Sequence, residues 1–334
     1  MRSERWTLAV ETGLFSLPDA GRLLVLNARA DDDLTMLPAG RTHLVQGFRP
    51  DHDALAARGL TVSPDLPAGP FALSFVCLPR AREAARAMVA AAAAVSQGPV
   101  VVDGQKTDGI DSLRREVAAR VPVSEALAKA HGKVFTFAGG ADLSDWAARP
   151  HRTAEGFTTQ PGVFSADGAD RGSALLAAAL PAKLKGRGVD LGAGWGYLAA
   201  AALAREGVTH LDLVEAEADA LTCARLNIID SRAAFHWADA TRFRPDRLAD
   251  WVICNPPFHL GRAADPGLGE AFLRAAARML ATDGTLWLVA NRHLPYDRSL
   301  VSLFREVDDN GGDATFRLTR AARPLPASGR RGPP

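Results

Sequence analysis

Apolar and polar positions switch between two periods along the second half of the chain. "GRGVDLGAG" (186–194) is a short apolar run ending in glycines, and "YLAAAALARE" (197–206) has helical spacing that Gly207 stops. "THLDLVE" (209–215) predicts a strand and "ADALTCARLNII" (218–229) a helix. "AFHWADA" (234–240) and "ADWVICN" (249–255) predict strands, "GEAFLRAAARML" (269–280) a helix and "GTLWLVAN" (284–291) a strand. "RSLVSLFREV" (298–307) predicts another helix, and "DATFRLTRA" (313–321) a last strand after the Gly311-Gly312 turn. Strands alternating with helices at this spacing imply an α/β fold, a parallel, doubly wound sheet with helices on both faces.

The first half repeats the end of this plan. "PFALSFVCLPR" (70–80), "AREAARAMVAAAAAV" (81–95) and "GPVVVDGQ" (98–105) give strand, helix, strand, the order of "ADWVICNPPF", "GEAFLRAAARMLATDG" and "TLWLVANR". "TGLFS" (12–16) echoes "PGVFS" (161–165) in the same order. A duplicated fold accounts for both echoes. The first copy lacks chemistry: its opening strand, "RLLVLNARADD" (22–32), has no glycine loop, and "CLPR" stands where the second copy has "CNPPF". The expected layout is a degenerate domain over 1–140, a linker over 141–152 and a catalytic domain over 153–322. A disordered Pro/Gly/Arg-rich tail is expected over 323–334.

Composition narrows the classes. With 334 residues, 47% hydrophobic and 23% charged, the chain suits two globular domains. A net charge of +1 means that a polyanion would have to be met by local basic groups such as "KLKGRG" (183–188) and Arg317, Arg320, Arg323, Arg330 and Arg331. For the tail arginines, a solvated tail is the preferred reading. Cys77, Cys223 and Cys254 are scattered, with no CxxC pair and no metal-ligand spacing, and are expected to be reduced and buried. The N-terminus lacks a signal-peptide pattern, and the apolar stretch 84–95 is too short to span a bilayer. A cytoplasmic protein with no membrane association is expected.

"VDLGAGWGY" (189–197) sets Gly192, Gly194 and Gly196 at a strand-to-helix turn, where a ligand can lie against bare backbone. A dinucleotide fingerprint, G-x-G-x-x-G, would need a glycine where Tyr197 stands. GxGxG after Asp190 fits S-adenosylmethionine instead. Glu215 ends the next strand, where a carboxylate can accept both ribose hydroxyls. Asp239 ends the third and could accept from the adenine amino group, with Trp237 or Ala240 flanking the ring. Singly, Glu215 reads equally well as a helix-start acid and Asp239 as a turn residue. Together the acids mark the carboxyl-end rim on which open α/β sheets bind ligands.

The fourth strand delivers Asn255-Pro256-Pro257-Phe258 to that rim. A planar amino nitrogen is a poor nucleophile because its lone pair is delocalised. Two acceptors, the Asn255 side-chain oxygen and the Pro256 carbonyl, would draw it toward a tetrahedral form aimed at a methyl donor. The prolines hold Asn255 extended, which fixes the acceptors before reaction. Phe258 can stack on the base, and a base in RNA must be unstacked to arrive. No metal is required. His259 could contact substrate or cap the loop, and "HLGRAADPGLG" (259–269) has the glycines of a lid.

With "TTQPGVFSADGADRGSALL", "VDLGAGWG", "ICNPPFH" and "VANRHLPY" on one chain, the sequence resembles the bacterial ribosomal RNA guanine-N2 methyltransferases. The small-subunit methyltransferase C enzymes are the nearer match and the large-subunit enzymes a close one. The resemblance implies two tandem Rossmann-like class I methyltransferase domains, the N-terminal one degenerate. It also implies S-adenosylmethionine bound by Gly192, Gly194, Glu215 and Asp239, with Phe164 and Ser165 near it and Asn255 to Phe258 holding the guanine. The expected substrate is 16S ribosomal RNA, within a subunit or an assembly intermediate, and the enzyme a monomer. Large-subunit RNA, a protein glutamine, and a non-catalytic assembly factor remain as alternatives.

Overall fold

Leu23–Leu26 and Leu73–Cys77 are buried along their whole length, as strands covered on both faces must be. The computed structural model describes residues 2–257, 259–260, 263–264 and 266–326. The chain divides into two units, Met1–Pro150 with Gln160–Gly162, and His151–Thr159 with Val163–Pro334.

The first unit contains α1 (Arg2–Glu11), β1 (Leu23–Leu26), β2 (Thr42–Val45), α2 (Arg49–Ala57), β3 (Thr61–Ser63) and β4 (Leu73–Cys77). There follow α3 (Arg82–Val95), β5 (Pro99–Gln105), α4 (Ile110–Ala118), β6 (Leu127–Lys129) and β7 (Gly132–Ala138). The sheet order is β3-β2-β1-β4-β5-β7-β6, with β7 antiparallel to β5 and β6.

The second unit opens with a ribbon, β8 (His151–Arg152) and β9 (Thr158–Thr159), then α5 (Arg171–Ala179) and β10 (Lys183–Leu191). Next come α6 (Tyr197–Leu203), β11 (Glu206–Glu215), α7 (Ala218–Asn227), β12 (Ala233–Trp237) and β13 (Ala249–Cys254). A second ribbon, β14 (His259–Leu260) and β15 (Ala263–Ala264), precedes α8 (Pro266–Met279). β16 (Leu280–Asn291), α9 (Tyr296–Leu303), β17 (Phe304–Gly312) and β18 (Phe316–Pro324) complete it. The order β12-β11-β10-β13-β16-β18-β17 repeats the first sheet strand for strand. Alternation along β13 divides its side chains between two cores. Val252 and Cys254 pack with α8, whereas Trp251 and Ile253 pack with α5 and α6.

Several boundaries differ from the sequence reading. The helix expected over 298–307 ends at Leu303, and Phe304-Arg-Glu-Val opens β17 instead. Pairing with β18 explains this, since Arg320 reaches Asp308 at 2.8 Å and Arg323 reaches Glu306 at 3.0 Å across the hairpin. β18 runs on to Pro324, past the expected start of the tail, and residues 327–334 lie outside the described part. "KLKGRG" lies within β10, and Arg317 pairs with Asp297 and Asp309, so Arg317, Arg320 and Arg323 already have acidic partners. All three cysteines are buried free thiols, and burial pushes Cys77 up to about 12. No described helix is long and apolar enough to cross a membrane.

Candidate active site

Leu191, the last residue of β10, pairs with Val214 of β11 and Cys254 of β13. The strand order reverses between those two neighbours, so the next residues, Gly192 and Asn255, flank the crevice where such sheets bind ligands. Gly192, Gly194 and Gly196 all take left-handed φ, at 84°, 55° and 93°. A side chain there would strain the turn, so the spacing GxGxG is the turn's own requirement.

The loop is tied down from both sides. The amides of Gly192 and Ala193 donate to the Val214 carbonyl at 2.9 and 3.0 Å. Gly194 donates to Glu215 Oε2 at 2.7 Å, and the Glu217 amide donates to Oε1 at 2.8 Å. Glu215 is thus a loop clasp as well as a rim acid. Burial raises its carboxyl above the usual range, and these amides oppose the rise.

Asp190 is not on the rim. It is fully buried with neither carboxylate oxygen in a regular hydrogen bond, and the Ala199 amide relieves it only in part. Burial, with repulsion from Glu215 second, pushes it up to about 8. Strand parity turns the Asp190 side chain into the packing of the sheet, away from the rim.

Asp239 lies two residues past β12, and its Oδ1 accepts from the Thr241 amide and hydroxyl at 2.8 and 2.6 Å, a turn role. The Ala240 methyl belongs to the core, so only its backbone can reach a ring; the Trp237 indole donates to the Ala216 carbonyl.

Phe164 and Ser165 stand opposite the loop. Ser165 has a left-handed φ of 52° and donates to the Gly168 carbonyl at 2.7 Å, while the Trp195 indole donates to the Phe164 carbonyl at 3.0 Å. The turn presents the Phe164 ring 60% exposed. Phe15, its echo in the first unit, is 5% exposed. Phe164, Ser165, Gly192, Gly194 and Asn255 line one pocket.

Asn255 is half-buried, Pro256 buried and Pro257 exposed; Phe258 lies outside the described residues, as do the side chains of the expected lid as far as 266. The Asn255 amide nitrogen donates to Asp170 Oδ2 at 3.0 Å and to Ser173 Oγ at 2.9 Å. Sequence reasoning missed Asp170, Ser173, Trp195 and Asn227. An Asp ahead of "RGSALLAAA" is a pattern from which a cap could have been read, but nothing local shows what else it holds. Asn227 accepts from the Thr158 amide at 2.7 Å and donates to the Thr158 and Trp195 carbonyls at 2.9 and 2.8 Å. Among the described residues no His/Cys/Asp/Glu group could hold a metal ion.

The corresponding place in the first unit is filled. Leu26 ends β1 and pairs with Val76, so Asn27 and Cys77 hold the register positions of Gly192 and Asn255, one residue off the expected match of Cys77 with Cys254. The Asn27 amide nitrogen donates to the Cys77 carbonyl at 2.9 Å, and Arg5 makes two 2.7 Å bonds to Asp103.

The methyltransferase small domain family matches residues 155–320. A protein of Shewanella piezotolerans named ribosomal RNA small subunit methyltransferase C is 32% identical over 238 residues, 66% of this chain and 68% of the relative. A ribosomal RNA large subunit methyltransferase G of Shewanella amazonensis is 36% identical over 172 residues, 50% of this chain and 45% of the relative. The T. thermophilus 16S rRNA N2 methyltransferase, solved with AdoMet and guanosine, superposes with a TM-score of 0.76. That match is 23% identical and covers 92% of this chain and 90% of the other.

Proposed function

Because the chain belongs to the ribosomal RNA small subunit methyltransferase C family, we propose that it transfers a methyl group from S-adenosylmethionine to the exocyclic N2 amino group of a guanine in 16S ribosomal RNA. The observation that carries this reading within the chain is Asn255, one residue past β13, beside a left-handed glycine loop and lining the same pocket.

The glycine loop and the strand ends beside it suit the cofactor. Left-handed glycines expose backbone on one side, and Glu215 retains lone pairs for a ribose diol after accepting two amides. Bound S-adenosylmethionine supplies an electrophilic methyl group on a positively charged sulfur. Gly192 and Gly194 bind its amino-acid end through backbone, Phe164 and Ser165 close the pocket beside it, and Asp239 with the Ala240 backbone takes the adenine.

The chain's part in the chemistry is acceptance and aim. Asn255 Oδ1 and the Pro256 carbonyl accept the two N–H bonds of the guanine amine, which points the nitrogen lone pair at the methyl carbon. Positive charge would grow on that nitrogen as its bond to the methyl carbon replaces the sulfur–carbon bond, and the two oxygens, fixed beforehand, would stabilise it until one N–H proton is lost to solvent. Phe258, outside the described residues, is the ring that the sequence offers for stacking on the base. The first unit, its equivalent rim filled, supports the RNA or the catalytic unit without a transfer site of its own. The enzyme acts as a monomer on a ribosomal subunit or assembly intermediate.

The test supplies labelled S-adenosylmethionine with small subunits, large subunits or naked RNA from a strain lacking the protein, and maps the modified nucleotide. Label at a guanine N2 of 16S RNA is expected. Label in large-subunit RNA would make the chain a large-subunit enzyme, and label in protein alone would refute the RNA reading. Asn255→Ala should lower the transfer rate by about 100-fold or more with cofactor affinity little changed.

A further inference from the structure

An asparagine amide is nearly symmetrical in shape, and its two ends do opposite things. For Asn255 to accept a proton-bearing amine, its oxygen must face the substrate and its NH2 group must face the protein. The reversed rotamer would set NH2 against NH2, two donors with no acceptor between them. Something must therefore read which end is which.

We propose that Asp170 and Ser173 are positioning residues that hold the Asn255 nitrogen inward, so that Oδ1 meets the substrate amine; this rests on the reading of Asn255 as the amine acceptor. Asp170 Oδ2 already accepts from the Ser173 amide, so at 3.0 Å it takes the nitrogen end of Asn255 and fixes it toward itself. Ser173 Oγ, on a residue 8% exposed, takes the second N–H at 2.9 Å. Both donors of the amide are then engaged, and rotation would break both bonds at once.

Asp170 is itself held. It is the N-cap of α5, and its Oδ2 accepts from the Ser173 amide at 2.9 Å. The helix behind it is anchored by Leu176 and Ala177 in the core. Gly172 keeps the space clear: a Cβ there would stand 3.1 Å from Asp170 Oδ2 and 3.0 Å from the Phe316 ring. One helix cap thus carries the orientation of a side chain far away in sequence.

Capping and positioning can be separated by substitution. Asp170→Ser keeps a capping oxygen for the Ser173 amide but is too short to reach Asn255. Asp170→Asn keeps both the cap and the length, yet its own amide can turn and accept either end of Asn255. With 16S substrate and saturating cofactor, Asp170→Ser should lower kcat by about 10- to 100-fold. RNA KM should stay within about threefold, and cofactor Kd is measured alongside because Asp170 and Ser173 line the same pocket as the glycine loop. Ser173→Ala should fall in the same direction, and Asp170→Asn between wild type and Asp170→Ser.

The deciding measurement is the cycle with Asn255→Ala under single-turnover conditions. If Asp170 acts through Asn255, the double variant is no slower than Asn255→Ala alone. Multiplying losses, an unchanged kcat in Asp170→Ser, or a loss confined to cofactor affinity would each overturn the proposal. Should Asp170→Ser not fold, Asp170→Asn and Ser173→Ala run the same cycle with the cap intact. A fully active Asn255→Ala would remove the acceptor reading itself. An inactive Asn255→Ala beside a wild-type Asp170→Ser would remove only the positioning.

Discussion

Gly194 donates its amide to Glu215 Oε2 at 2.7 Å, joining the middle of the glycine loop to the end of the neighbouring strand. A residue proposed to meet the ribose thus also sets the shape of the loop proposed to meet the other end of the cofactor. Glu215→Ala removes a charge-assisted acceptor, a change of about 1.5–3 kcal/mol. Cofactor Kd measured calorimetrically should rise about 10- to 100-fold, while kcat at saturating cofactor changes far less. An unchanged Kd would remove Glu215 from the cofactor site.

The buried Asp190 makes a prediction about pH. In the unfolded chain its carboxyl titrates near 4, and in the folded protein at about 8. Between these values the unfolded chain releases its proton first, so the native state loses stability as pH rises from about 4 to about 8. Below that window the loss is absent and above it complete, on the order of 6 kcal/mol at about 1.4 kcal/mol per unit. Asp190→Asn cannot ionise. Its melting temperature relative to wild type should therefore climb steadily from pH 4 to pH 8. A difference that stays flat across the series would mean that Asp190 is not held protonated.

Much of the fold was legible because period and burial agree. The parallel strands of the second unit read correctly, and Leu191, Glu215 and Asn291 each close a strand that the apolar pattern announced. Legibility failed where partners distant in the chain decide. Phe304 to Val307 has helical spacing, yet β18 draws it into a strand. Asp190 looks like a rim acid from its place in the motif and is buried by strand parity. Asn255 was legible from its prolines, whereas its link to Asp170 crosses 85 positions and leaves no local pattern.

Asn227 is a test of scaffold without chemistry. It makes three hydrogen bonds, two to the Thr158 backbone and one to the Trp195 carbonyl, so it pins β9 to the glycine loop. Asn227→Ala leaves those backbone groups without their partner, at a cost of about 1–3 kcal/mol. Urea denaturation should show a lower midpoint with an unchanged slope. A stability equal to wild type would show that the three bonds are replaced by solvent at no loss.

The filled rim of the first unit gives the largest expected effect. Arg5 and Asp103 are both fully buried, with 2.7 Å bonds from Arg5 Nε and Nη2 to the two carboxylate oxygens, and Arg2 adds a third at 3.1 Å. Burying such a pair gains little by itself, because desolvation opposes the attraction. Removing one partner is different, since the other charge is then stranded in the core. Asp103→Ala should destabilise the protein by about 3–5 kcal/mol. Arg5→Met with Asp103→Leu, which strands no buried charge on Arg5 and leaves Arg2 its contact with Asp32, should be less damaging than Asp103→Ala alone. Denaturation of the three proteins under one set of conditions checks the order. A double variant at least as unstable as Asp103→Ala would show that the ion pair contributes net stability and does not merely fill the rim.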